Sequence, residues 1–165
     1  MTLSYQWLLD YLPAPLPVEQ LSDILTSIGL EVERVATYEE VKGGLKGLVI
    51  GEVMTTEKHP NADKLTLTKV NIGSENLLSI VCGAPNVAVG QKVVVAPVGA
   101  TIFPVNAAPL TMKNARIRGE ESQGMICAED EIGLGDSHAG ILILPPTANV
   151  GMSAADFFTP YEDTI

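Results

Sequence analysis

Near the start of the chain, apolar residues follow a helical spacing. Tyr5, Leu8, Leu9 and Leu12 fall at i, i+3, i+4 and i+7, which is one face of a helix. The run PAPLP stops that helix, and Pro17 suits the first position of the next. Val18, Leu21, Ile24, Leu25 and Ile28 form a second apolar stripe, with Gly29 placed just beyond its end. LEVERVATY then resembles a strand with a slip in parity, because Leu30 and Val32 give way to Val35.

From about residue 40 the pattern changes to short strands. LVIGEVMTT, LTLTKVNIG, LLSIVCG, KVVVAPVG, MKNARIRG, QGMICAE and GILILP are separated by glycine, proline and asparagine. Short strands punctuated in this way predict a sandwich or a barrel. Gly51 lies inside the first, where a small barrel needs a sharp bend. In LTLTKVNIG, Leu65 and Leu67 share one parity and Val70 and Ile72 the other, so a bulge is expected near Thr68 or Lys69. Strong coiling over about five core strands is what a small Greek-key barrel requires.

SAADFF predicts a short helix, with Ser153 and Asp156 at capping-box spacing. Terminal pieces of about 40 residues rarely bury enough surface to fold alone. Residues 1–39 and 150–165 are therefore expected to pack together as a small discontinuous α+β domain. That domain would be incomplete at its C-terminus, and the barrel of residues 40–149 would be inserted into it. YEDTI begins like another strand, so the chain reads as the front end of a longer protein. The expected fold class is α+β, mostly β.

Composition narrows the setting. At 165 residues and 46% hydrophobic, the chain can bury a real core. Its longest apolar runs, VVVAPVGA and AGILILPP, fall far short of the roughly 18 residues of a membrane span. No signal-peptide pattern opens the chain, and Cys82 and Cys127 alone make no disulfide framework. A cytoplasmic protein with two free thiols is the expectation. The net charge of −10 opposes whole-surface attraction to nucleic acid or anionic lipid. Its distribution says more. Residues 1–39 hold six acids and only Arg34, whereas residues 40–147 hold eleven acids and nine of the ten basic residues. Only that middle part can present a basic patch.

Several chemistries find no support in the spacing. His59, Asp63, Cys82, Cys127 and His138 are metal-capable types, yet they match no common ligand motif. Both cysteines lie in apolar strands, as buried cysteines do. The cluster EDEIG reads as a solvated turn, and GGLKG and GLGDSHAG are not phosphate-cradle motifs. Nucleic-acid binding fits better. In HPNADKL, Pro60 and Asn61 suit a turn that Asp63 can hold by bonding nearby backbone N–H groups. This leaves His59, Asn61 and Lys64 as outward polar groups. Lys113, Arg116 and Arg118 cluster in MKNARIRG, and on one strand the two arginines point to the same side. These six residues could grip phosphates or ribose edges. The same residues also fit an ordinary charged barrel face. Phe103 is the one aromatic in residues 40–147, so any binding should use RNA backbone and shape rather than base stacking.

HPNADKL, VCGAPNV, GQKVVVAPVGA and MKNARIRGEESQGMICAEDEIGLG follow one another as in the tRNA-binding oligonucleotide-binding (OB) barrel. With SYQWLLDYL and LSDILTSIGLEVE ahead of them, the chain resembles the first two domains of the bacterial phenylalanyl-tRNA synthetase β-subunit family. The resemblance implies an α2β2 enzyme that joins phenylalanine to its tRNA using ATP and magnesium. It implies as partners tRNA, the α subunit and the rest of β, and it places the aminoacylation and editing sites outside this chain. No catalytic residue, metal or cofactor is then expected here. The alternatives are a free-standing tRNA-binding or chaperone-like OB protein, and an assembly module without RNA contact.

Overall fold

The computed structural model describes all 165 residues. They form two compact units, residues 1–40 with 161–165, and residues 41–160. In the first, helix α1 (Tyr5–Leu9) starts at Ser4, whose Oγ accepts from the Trp7 N–H at 2.9 Å. Helix α2 (Val18–Ser27) is preceded by Pro17 as its N-cap, one position earlier than the first-turn place expected from the sequence. Its end is a Schellman motif. Gly29 takes φ +97°, its N–H donates to the Thr26 carbonyl, and Leu30 N–H donates to the Leu25 carbonyl. The strand expected from LEVERVATY is confined to its far end, β1 (Thr37–Glu39). Val32 N–H is bonded to Thr26 Oγ1, which ties the preceding residues back to the helix and explains the slip in parity.

The second unit is built on β2 (Val49–Lys58), β3 (Thr66–Asn71), β4 (Leu78–Cys82) and β5 (Lys92–Pro97). Two small hairpins follow, β6 (Thr101–Ile102) with β7 (Leu110–Thr111), and β8 (Ala115–Ile117) with β9 (Glu120–Ser122). Then come β10 (Gly124–Ile126), β11 (Ile143–Leu144) and helix α3 (Ala154–Phe158). The main sheet runs β10-β5-β2-β3-β4, antiparallel throughout, and β11 also pairs with β5. Gln123 closes the gap between β4 and β10. Its N–H donates to the Ser79 carbonyl at 2.7 Å, and its Oε1 accepts from the Ser79 N–H at 3.0 Å. The result is a nearly closed five-stranded barrel of the OB type.

The barrel's core explains its least patterned strand. In β5, Val93 and Val95 face the interior with Val53, Val70, Ile80 and Ile126, while Val94 and Ala96 join a second core with Leu48, Ile50, Ile132 and Ala154. A strand buried on both faces loses alternation, hence the run VVVA. Gly51 is there for room as well as bend. A Cβ at that position would meet Val70 Cγ1 at 2.8 Å and Val95 Cγ2 at 2.9 Å.

Three expectations change in detail. The bulge is on β2, not β3: the register shifts between Val53 and Thr55. β3 alternates regularly, because buried Thr68 takes an interior place beside Val70 and satisfies its hydroxyl on the Ile80 carbonyl at 2.8 Å. Helix α3 forms after Ser153, but Ser153 makes no side-chain cap bond. The compact units also divide later than residue 150. Gly151 N–H donates to the Ile50 carbonyl, Ile50 N–H to Met152 and Ala154 N–H to Leu48, which binds this stretch to the start of β2.

The chain then returns as β12 (Glu162–Thr164), which pairs antiparallel with β1 in the first unit. Buried Asp163 is its anchor. It accepts from Ser4 Oγ, from the Gln6 N–H at 3.1 Å, and from the Tyr161 hydroxyl and Thr164 N–H at 2.7 Å each. No helix of the chain is long and apolar enough to cross a membrane.

Candidate nucleic-acid interface

In an OB barrel, the loop between the first two strands and the long connection before the last strand flank the oligonucleotide site. Here these are residues 59–65 and the segment carrying the β8–β9 hairpin. The 59–65 loop is a tight return, closed by His59 N–H to the Leu65 carbonyl and Leu65 N–H to Ala62. The exposed pair Lys58–Asp63, at 3.3 Å, adds little to its stability.

The two loops are hydrogen-bonded to each other. His59 Nε2 donates to the Ile117 carbonyl at 3.0 Å, and Asn61 Nδ2 donates to the Arg118 carbonyl at 3.3 Å. The hairpin pairs Ile117 with Glu120, so Arg118 and Gly119 form its two-residue turn. Their φ values of +55° and +93° are those of a type I′ turn, which follows the strand twist. The hairpin's root is held by Ser122, whose Oγ accepts from the Val81 N–H at 3.1 Å.

The six sequence candidates therefore lie on two segments that His59 and Asn61 bond together, but not all as expected. His59 is not an outward group. It is 2% exposed, with Nδ1 accepting the Asn61 N–H at 3.0 Å, so both ring nitrogens are engaged inside the protein. Arg116 and Arg118 do not share a strand face, because β8 ends at Ile117 and Arg118 lies in the turn. Lys64, Lys113, Arg116 and Arg118 are exposed, and none is held by a carboxylate. Other lysines of this unit are engaged: Lys92 on Glu52, Lys69 on Ser79, and Lys42 over the Phe103 ring. Ser122 and Gln123, which hold the hairpin root, escape sequence reasoning. Their contacts are to backbone groups of β4, which no motif spells out.

The cleft beneath the hairpin has the opposite charge, with two of its carboxylates supplied by the hairpin arm β9. This cleft, of about 310 Å³, is lined by Thr55, Glu57, Leu67, Lys69, Glu120 and Glu121. No aromatic ring lines it, so neither stacking nor phosphate attraction favours RNA there. A larger cleft of about 900 Å³ lies beside the hairpins, with Val81, Met112, Ile117 and Ile141 among its mainly apolar lining. Cys82 also lines it, but burial pushes its thiol up, and burial pushes Cys127 up further. Thiols held protonated are poor nucleophiles. EDEIG forms a turn as expected: Glu131 Oε2 accepts the Ala128 N–H at 2.7 Å. Asp130 hydrogen-bonds His138 Nδ1 at 3.0 Å and raises its pKa.

Comparison with known proteins identifies the family of the barrel. The family model described as "Putative tRNA binding domain" matches residues 48–153. The phenylalanine–tRNA ligase β subunit of Porphyromonas gingivalis is 53% identical over 99% of this chain and 20% of its own length. That of Bacteroides thetaiotaomicron is 50% identical over 100% of this chain and 20% of its own length. The chain thus spans about a fifth of these curated relatives. Among solved structures, the C-terminal domain of Plasmodium vivax p43 is similar at 26% identity with a TM-score of 0.45, over 63% of this chain and 56% of that one. The family match covers the whole barrel, from the strand that opens it to the segment that returns along β2, and on that match the chain belongs to the tRNA-binding domain family.

Proposed function

We propose that this chain is a non-catalytic segment of a phenylalanine–tRNA ligase β subunit whose barrel contacts the tRNA backbone. The observation that carries the reading is the set of four exposed cations, Lys64, Lys113, Arg116 and Arg118, free of carboxylate partners on two loops bonded to each other. Exposed cations without carboxylate partners can neutralise phosphates and release counterions. The full-length relatives support the assignment to the ligase. On this reading the chain works in the cytoplasm, beside the α subunit and the rest of β. The joining of phenylalanine to tRNA, with ATP and magnesium, takes place elsewhere in that enzyme. Filter binding of the 165-residue chain to a tRNA transcript at 50 and 200 mM salt tests the reading. Salt-sensitive binding is expected, and its absence at low salt would overturn it.

A second role as an assembly surface is favoured by the first unit. Trp7, Tyr11 and Ile28 are 50%, 71% and 67% exposed there. Copurification of the partner α subunit with β, with and without residues 1–165, separates the two roles.

A further inference from the structure

A histidine between two lysines in a loop reads as a phosphate contact or a metal ligand. The structure gives it neither place. His59 is buried, and its partners determine which ring nitrogen donates and which accepts. Nδ1 faces a backbone N–H, that of Asn61, so it must carry a lone pair. Nε2 faces the Ile117 carbonyl, so it must carry the proton. Only the neutral Nε2–H ring satisfies both.

The carbonyl it holds lies between the two arginines of the candidate interface. Asn61, itself fixed by the same ring, holds the next carbonyl, that of Arg118. The hairpin so held has three paired residues on each arm. A two-stranded piece this short is marginal by itself. Its root is fixed by Ser122, and its tip depends on the 59–61 clasp. The clasp uses backbone carbonyls and leaves both guanidinium groups free.

We infer that His59 is a positioning residue: it touches no RNA and sets the hairpin that presents Arg116 and Arg118. This rests on the RNA-binding reading, and the test separates the two.

In the 165-residue chain, His59→Ala removes the clasp, and His59→Gln restores a donor for the Ile117 carbonyl without an acceptor at the Nδ1 position that takes the Asn61 N–H. Three readouts follow. Ring nitrogen NMR of the wild-type chain should show His59 as the neutral Nε2–H tautomer; an Nδ1–H or charged ring at neutral pH would overturn the inference. Amide exchange in residues 115–121 should rise in His59→Ala and partly recover in His59→Gln, while β2 to β5 stay protected. Unchanged hairpin exchange would overturn it. Affinity for a tRNA transcript at 0.1 M salt should fall by about five- to eightfold for each phosphate that the loosened hairpin no longer neutralises. That fall should vanish when His59→Ala is made on top of Arg116→Ala and Arg118→Ala. An equal fall in that background would mean that His59 acts on RNA by another route, against the inference. If the wild-type chain binds no tRNA, the RNA reading falls and the arginines' role with it. The tautomer and exchange results then still decide the clasp.

Discussion

Replacing Arg116 and Arg118 together with Ala tests the interface most directly. Both side chains are exposed and neither makes a salt bridge, so the fold should be nearly unaffected. The effect on binding can be worked from counterion release. Each neutralised phosphate contributes a slope of about −0.7 to −0.9 in log K against log salt. Four cations on four phosphates give roughly −2.8 to −3.6, so raising salt from 50 to 200 mM should weaken binding about 50- to 150-fold. Two cations give roughly −1.4 to −1.8 and a fall of about seven- to twelvefold over the same range. The variant should also bind about 25- to 60-fold more weakly at 0.1 M salt, by a similar factor for every tRNA tried, because phosphate contacts carry no sequence information. Filter binding across a salt series reads both quantities. Parallel lines for the two proteins would refute the reasoning even if the variant bound less well, since they would mean that the arginines neutralise no phosphate.

Arg118→Asn should separate stability from binding: it makes the turn Asn-Gly, the favoured type I′ pair, and should stabilise the hairpin by about 0.5–1 kcal/mol while weakening tRNA binding, as read by amide exchange and filter binding. Gly51→Ala places a methyl between Val70 and Val95 and should lower Tm by roughly 3–10 °C in a thermal melt. Asp163 is where acid should act on the first unit. Burial pushes its carboxyl up, but donors from Ser4, Tyr161, Gln6 and Thr164 outweigh this and hold it below its ordinary value. Its stabilising effect is therefore fully present above the unfolded carboxylate pKa of about 3.9 and is lost as pH falls through the lowered folded value. Asp163→Asn should remove about 1–3 kcal/mol at neutral pH and abolish that acid dependence, as followed by the fluorescence of Trp7, the one tryptophan.

The barrel is legible in the sequence because its signals are local. Glycine-punctuated strands, the run VVVA and the prolines and asparagines of the loops each report on a few neighbouring residues. The features that the sequence conceals depend on partners far along the chain. Thr68 breaks the apolar parity of its strand and so resembles a bulge. It is an interior residue whose hydroxyl is satisfied across the sheet by Ile80, twelve positions away. His59 reads as outward because its neighbours are polar, and nothing in HPNADKL announces a carbonyl at Ile117. MKNARIRG reads as one strand because Arg-Gly is a weak turn signal compared with Asn-Gly. The candidate interface is therefore visible in the sequence as a set of residues and not as an arrangement. Charge clustering finds the cations, but the hairpin that separates Arg116 from Arg118 exists only in three dimensions.

That arrangement argues for where RNA would lie. The cleft over the strand face that OB barrels commonly offer to oligonucleotides is lined by Glu57 of β2 and by Glu120 and Glu121 of the hairpin arm β9, and by no aromatic ring. RNA laid along it would meet three carboxylates and one lysine already bonded to Ser79. Arg116 and Arg118 lie on that same hairpin, Arg116 opposite Glu121 in its register, with Lys113 just before it and Lys64 on the loop that clasps it, and none of the four is salt-bridged. Arg118 is the most telling of them. It occupies a left-handed turn position, φ +55°, where a non-glycine residue is strained by roughly 1 kcal/mol. Asparagine would relieve that strain without disturbing the pairing on either side. Strain kept at an exposed turn, with a guanidinium as its only product, points to a use for the guanidinium rather than for the turn. On the proposed RNA-binding reading, the barrel would serve as a rigid mount, and contact with RNA would fall to a short hairpin fixed at its root by Ser122 and at its tip by the 59–61 clasp.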